Sequence, residues 1–87
     1  MTKDLETLKE ALRCVNETSS LKVRLDLMEA LVSLNIDEIQ TEKDLVFFID
    51  RVEAELLYFY KITLDTKEKL EKKLLQLRNR EIKLLNE

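Results

Sequence analysis

Two pairs of carboxylates, Asp37 with Glu38 and Glu53 with Glu55, are the side chains best suited by type to acid–base or metal chemistry. Adjacent and alternate side chains on a helix point in different directions, so neither pair converges on one substrate or ion. The chain has no histidine and a single cysteine, which removes the usual general base and the commonest transition-metal ligands. We therefore expect no catalytic residue, no metal site and no bound cofactor, and we predict that the protein is not an enzyme.

The single cysteine, Cys14, has no second cysteine with which to form a disulfide. A lone thiol fits a reducing compartment, and we expect Cys14 to pack as a small core residue on the first helix. Residues 1–4 show no apolar stretch typical of a secretory signal. No apolar run approaches the ~20 residues of a membrane span. The sequence therefore predicts a cytoplasmic protein that does not contact a membrane.

The absence of glycine and proline is the strongest indication of the fold. Glycine supplies the positive-φ corners of tight turns, and proline fixes turns and ends helices. A chain without either is most easily built from helices joined by short polar loops. With 87 residues, 45% of them hydrophobic, the chain forms one small domain rather than a disordered segment. We predict an all-α fold, a small helical bundle formed by residues 1–87.

Residues 1–40 have the pattern of an N-terminal helical hairpin. Apolar residues at spacings of three and four predict a first helix over residues 3–15, followed by a polar loop over residues 16–20. A second helix is expected over residues 21–34, with Ser19 or Ser20 as its N-cap. This second helix has so few polar residues that we expect it to lie centrally in the bundle or at an interface.

Residues 41–87 form a long C-terminal helical region that opens with a capping-box pattern at Thr41 and Asp44. No glycine or proline interrupts the helical pattern near Asp65. One continuous helix over residues 41–86 is the favoured interpretation, and at 1.5 Å per residue it would be ~69 Å long. The alternative is a break near Asp65 that gives a helix pair and a compact four-helix bundle.

A heptad-like series of leucines in the C-terminal region predicts coiled-coil-like association, because a long helix needs a partner that the short N-terminal helices cannot supply. We expect a homodimer, and a further protein is an additional candidate partner. The function expected from this is that of a non-catalytic interaction or oligomerisation module, such as a small adaptor or regulatory protein. The association residues expected from the series are Leu70, Leu74, Leu77 and Leu84. Aromatic residues supply secondary anchors, and these are Phe47, Tyr58 and Tyr60.

An alternative function follows from the uneven distribution of charge. Residues 67–87 carry seven basic and four acidic residues, a net charge of +3, whereas residues 1–66 carry eight and fourteen, a net charge of −6. The basic segment 67–83 could contact nucleic acid, although glutamates interrupt it and the whole chain is acidic. Such a small nucleic-acid-associated regulator would use Lys69, Lys72, Lys73, Arg78 and Arg80.

Overall fold

A computed structural model describes residues 2–15, 19–58 and 63–86 of the chain. Helices and their connections account for all of these residues, and no strand occurs among them. The helices pack against one another, which confirms the expected small all-α bundle. The elements are α1 (Thr2–Cys14), α2 (Leu21–Val32), a single 3-10 turn (Ile36–Glu38), α3 (Glu42–Tyr58) and α4 (Leu64–Leu85).

Polar side chains begin three of the helices. The Ser20 hydroxyl accepts a hydrogen bond from the Val23 amide at 3.3 Å at the start of α2. Thr41 and Thr63 accept the same kind of bond at the starts of α3 and α4, each at 3.2 Å. Such caps satisfy amides that have no partner within the helix. The helix starts expected at Ser20 and Thr41 are confirmed, and Thr63 begins a helix that the favoured interpretation did not contain.

The continuous helix over residues 41–86 is wrong. Helix α3 ends at Tyr58 and α4 begins at Leu64, and the longest dimension of the molecule is 40 Å. Arg80 near the end of α4 reaches the carbonyl of Ile39, just before α3, so the two helices run antiparallel as a hairpin. Folding back lets each helix bury its apolar stripe against the same chain, which a straight helix could not do without a partner.

The core lies between the four helices, and Phe48 is its largest fully buried side chain. Helix α1 contributes Leu5 and Leu12 to it, and α4 contributes Leu70 and Leu77. Ile39 anchors the connection between α2 and α3 to this core. The remaining buried hydrophobic residues are Met28, Leu31, Leu34, Leu45, Ile49 and Val52.

Helix α4, rather than α2, is the central element of the bundle. It packs against α2, α3 and the 3-10 turn. Helix α2 buries Met28 and Leu31 but leaves Leu21, Val23 and Leu25 between 37% and 47% exposed. Helix α2 therefore does not lie centrally, and the alternative position at an interface stays a prediction. An apolar composition shows only that a helix must pack against other elements. In this fold the central position belongs to α4.

The expectation that Cys14 lies in the core is also wrong, because its side chain is exposed. The buried face of α1 is set by Leu5, Lys9 and Leu12. Two residues beyond Leu12, a side chain points roughly 200° away from that face. The Cys14 sulfur lies 4.0 Å from a carboxylate oxygen of Glu10.

Candidate functional site

Of the carboxylate pair Glu53 and Glu55 on α3, Glu55 belongs to a buried ionic cluster. Glu55 on α3 is 5% exposed, and its two oxygens lie 3.5 Å from Arg24 Nη2 and 3.3 Å from Arg51 Nη2. Glu53 instead pairs with Arg78 on α4. The two glutamates therefore face different arginines on different sides of α3. This arrangement joins helices and brings no two carboxylates together.

Lys9 joins α1 to the start of α3. Its ammonium lies 2.7 Å from Glu6 and 2.9 Å from Asp44, and the side chain is 7% exposed. Hydrogen bonds to Glu6 and then to Asp44 raise the pKa of Lys9 above its usual 10.5, against a smaller effect of burial. The charged form is therefore the one that the folded chain stabilises.

The Lys9 contacts predict a loss of stability in alkaline solution. A raised pKa in the folded state means that the contribution is complete below 10.5 and is lost as pH rises towards the higher folded pKa. We expect the free energy of unfolding of the natural chain to fall faster above that pH than that of Lys9→Met, which has no ammonium to titrate. Urea denaturation of both chains at a series of alkaline pH values measures the difference, and parallel curves would contradict it.

Two basic residues of α4 hold the connection between α2 and α3. Lys73 donates a hydrogen bond to the carbonyl oxygen of Leu34 at 2.7 Å, and burial lowers the pKa of the Lys73 ammonium. Arg80 lies 3.5 Å from the carbonyl oxygen of Ile39. These two side chains thus contact both ends of the connection. They donate hydrogen bonds to carbonyl oxygens of residues that lie outside the helices.

The other basic residues expected to contact nucleic acid lie closer to solvent. Lys69 pairs with Asp65 at 3.1 Å, and Arg78 pairs with Glu53. Lys72 is exposed. Lys69, Lys72 and Arg78 are thus exposed, and contact of this basic set with nucleic acid stays a prediction.

The leucines expected to mediate association face the interior of the chain. Leu70 and Leu77 are fully buried, and Leu74 and Leu84 are half-buried against the same core. The chain's own helices cover them in this fold. Their role between chains stays a prediction, and none of the four presents a fully exposed side chain.

The predicted aromatic anchors are only partly described. Phe47 is half-buried, its ring meets Phe48 edge-on at 5.2 Å between centroids, and the Arg13 guanidinium lies 5.3 Å from the Phe47 centroid. The side chain of Tyr58 and the whole of Tyr60 lie outside the described residues. Phe47 therefore has partners from α1 and α3 within the chain.

A different set of apolar side chains is exposed on the outside of the α3–α4 hairpin, and we call it the outer face. Its exposure ranges from 38% to 74%. Val46 and Leu57 on α3 are eleven residues, or about three helical turns, apart, so they lie on the same side of that helix. Leu64 and Leu75 have the same spacing on α4. The outer face consists of Val46 and Leu57 on α3 and Leu64, Leu75, Ile82 and Leu85 on α4.

The ion pair between Glu53 and Arg78 shows that both stripes lie on the same side of the hairpin. Leu57 follows Glu53 by four residues, so the two side chains are neighbours on α3. Leu75 precedes Arg78 by three residues, and Ile82 follows it by four. The exposed apolar residues of both helices therefore lie beside the ion pair between Glu53 and Arg78.

The heptad series of leucines on α4 marks the buried side of the helix and gives no indication of the outer face. The signal was present in the eleven-residue and seven-residue steps from Leu64 to Leu75 and from Leu75 to Ile82. Several large apolar side chains exposed on one side of a small domain often mark contact with another molecule. The outer face is therefore the best candidate for a functional surface.

Other kinds of site are not visible in the part of the chain that the structure describes. Within it, no group of three or more histidine, cysteine, aspartate or glutamate residues is arranged to hold a metal ion. Its helices also include none with the length and apolar character needed to cross a membrane. Comparisons with protein-family models, with curated proteins and with solved structures found no match to this chain.

Proposed function

We propose that this protein is a non-catalytic interaction module of the cytoplasm that self-associates as a homodimer through the outer face of the α3–α4 hairpin. The observation that carries the proposal is the set of six large apolar side chains exposed on one side of two packed helices. The cytoplasmic assignment rests on the single cysteine, since a lone thiol suits a reducing compartment.

The energetics of a small domain support a partner on this face. Fully burying a leucine or isoleucine side chain contributes about 1.5–3 kcal/mol relative to leaving it exposed. A chain of this size buries only about 60–65% of the surface that its unfolded form exposes, so its own core is modest. Covering Leu57, Leu75 and Ile82, which are each more than half exposed, would therefore add substantially to stability.

A second copy of the chain is a suitable partner because the outer face is the same on both copies. In a two-fold dimer one patch meets itself, so apolar residues meet apolar residues without a second kind of surface. Two hairpins stacked in this way form a four-helix arrangement with α4 of each copy near its centre. Leu75 and Ile82 are seven residues apart, the spacing at which facing helices interdigitate in coiled coils.

A lysine at the centre of the outer face tests the proposal. We expect Leu75→Lys to raise the dimer dissociation constant at least about tenfold, because the ammonium would have to leave water without a partner. Sedimentation equilibrium of the variant beside the natural chain measures this constant.

The matched control is Val23→Lys, which changes an exposed apolar residue of α2 away from the outer face. We expect it to leave the dissociation constant unchanged. Loss of association in Val23→Lys together with normal association in Leu75→Lys would place the interface on α2 and contradict the proposal.

A further inference from the structure

Two opposite charges lie beside the apolar stripe of α4. Glu71 precedes Leu75 by four residues, and Arg78 follows it by three. Both charged side chains are exposed. Their spacing of seven residues turns the helix through nearly two full turns, so they lie on the same flank of the stripe. That flank thus has a negative charge towards the start of α4 and a positive charge towards its end.

This arrangement of charge distinguishes the two ways in which copies of α4 can meet. In a parallel pair related by a two-fold axis along the helices, the same flank of the two copies lies on opposite sides of the contact, so Glu71 and Arg78 would meet neither each other nor their own copies. In an antiparallel pair related by a two-fold axis, residues on one flank meet in reverse order, and Glu71 can face Arg78 of the partner subunit. Only the antiparallel arrangement brings these opposite charges together, and their attraction favours it.

The register that pairs these charges also pairs apolar residues. Leu64 lies seven residues before Glu71, and Leu85 lies seven residues after Arg78. Placing Arg78 opposite Glu71 of the partner subunit therefore places Leu85 opposite Leu64 of the partner subunit. The midpoint of this register falls between Leu74 and Leu75, so that Leu75 lies almost opposite its own copy.

Building on the proposed self-association, we infer that the occupant of the outer face is a second copy whose α4 lies antiparallel, with Glu71 of each chain opposite Arg78 of the other and Leu75 near the two-fold axis. Arg78 is able to serve both contacts. Its side chain remains 51% exposed while it pairs with Glu53, and a guanidinium carries five N–H donors in a planar fork. Arg78 thus links α4 to α3 within one chain and meets the partner's glutamate.

Disulfide cross-linking tests the register. In a Cys14→Ser background, which removes the natural thiol, Leu75→Cys should form a disulfide-linked dimer on mild oxidation, because the two sulfurs lie close to the axis. Ile82→Cys is the matched control, since residues 75 and 82 are similarly exposed, at 61% and 57%. In the inferred register residue 82 faces residue 67 of the partner subunit, ~22 Å along the helix from its own copy, and should not cross-link.

The outcomes of this experiment separate the register from the self-association on which it rests. Equal cross-linking of Leu75→Cys and Ile82→Cys indicates a parallel pair and overturns the inferred register. A dimer seen by sedimentation in which neither cysteine cross-links also overturns it, while leaving self-association intact. A chain that sediments as a monomer at every concentration overturns both.

Charge reversal gives a second measurement that needs no disulfide. Glu71→Arg and Arg78→Glu should each raise the dimer dissociation constant about tenfold at low salt, because each turns two attractive pairs into repulsive ones. The double variant Glu71→Arg with Arg78→Glu should restore most of the affinity. Glu53→Gln, which removes only the intramolecular partner of Arg78, should leave association unchanged. Single reversals without effect would overturn the antiparallel register.

Discussion

Replacing Leu77 by alanine is expected to lower the free energy of unfolding by about 2–5 kcal/mol, the range for truncating a fully buried leucine. Leu77 has no exposed surface and packs in the core cluster with residues of α1, α2 and α3. The loss combines the transfer of the missing side-chain atoms with a cavity that the surrounding helices fill only in part. Urea denaturation followed by circular dichroism, at a fixed and low protein concentration, measures the change.

Leu75→Ala is the matched control for this prediction. It makes the same chemical change two residues earlier on the same helix, at a side chain that is 61% exposed. At a concentration where both variants are monomeric, we expect it to cost less than about 0.5 kcal/mol, as surface substitutions usually do. Similar losses in the two variants would show that Leu77 is not buried within one chain and would contradict the fold described here.

Replacing Glu55 by alanine is expected to cost about 3 kcal/mol of the free energy of unfolding, close to the effect of breaking other buried ion pairs. The Glu55 side chain is 7% exposed, and those of Arg24 and Arg51 are 22% and 26% exposed. Without the carboxylate, two guanidinium groups would lie near each other with little access to water. Their repulsion and lost hydrogen bonds account for most of the expected change.

Glu53→Ala is the matched control for the buried cluster, because it removes a carboxylate from the same helix two residues earlier. Its pair with Arg78 is solvent-exposed, with side-chain exposures of 37% and 51%, and such pairs contribute about 1 kcal/mol or less. We expect a loss of about 0.5 kcal/mol or less. If chemical denaturation gave Glu55→Ala a loss as small as this, the account of Glu55 as a buried ionic link would be wrong.

The helix content of this chain was predictable from its sequence, and the hairpin between α3 and α4 was not. Serine and threonine caps at Ser20 and Thr41 mark the starts of α2 and α3 without help from glycine or proline. Thr63 is the same kind of cap, but the apolar pattern runs on past it. A straight helix with a partner and a folded hairpin satisfy that pattern equally well. Only the packing of α4 against the rest of the chain decides between them.

The position of each helix in the bundle could likewise not be predicted from the pattern of apolar residues. A helical repeat shows which residues share a side, as it did for Leu70 and Leu77, but not which neighbour covers that side. The structure places this leucine series in the chain's own core and leaves a second stripe, through Leu75 and Ile82, exposed. The leucine series predicted for association therefore lies on the buried side of α4, and its role between chains stays a prediction.

The buried ionic links could not be read from local spacing because their partners are far apart in the sequence. Lys9 meets Asp44 across 35 residues, and Arg24 meets Glu55 across 31 residues. Lys9 and Glu55 lie at the spacing of the apolar residues on their helices, but this spacing does not show which opposite charges they meet. Such pairs become visible only when the tertiary contacts between helices are known.

The central claim, self-association through the outer face, is tested most directly by measuring the mass of the natural chain in solution over a wide concentration range. Light scattering at low salt should give 10.3 kDa, the mass of one chain, at the lowest concentrations. We predict a rise to twice that mass as the concentration reaches tens of micromolar. A constant mass of one chain over the whole range would contradict the claim.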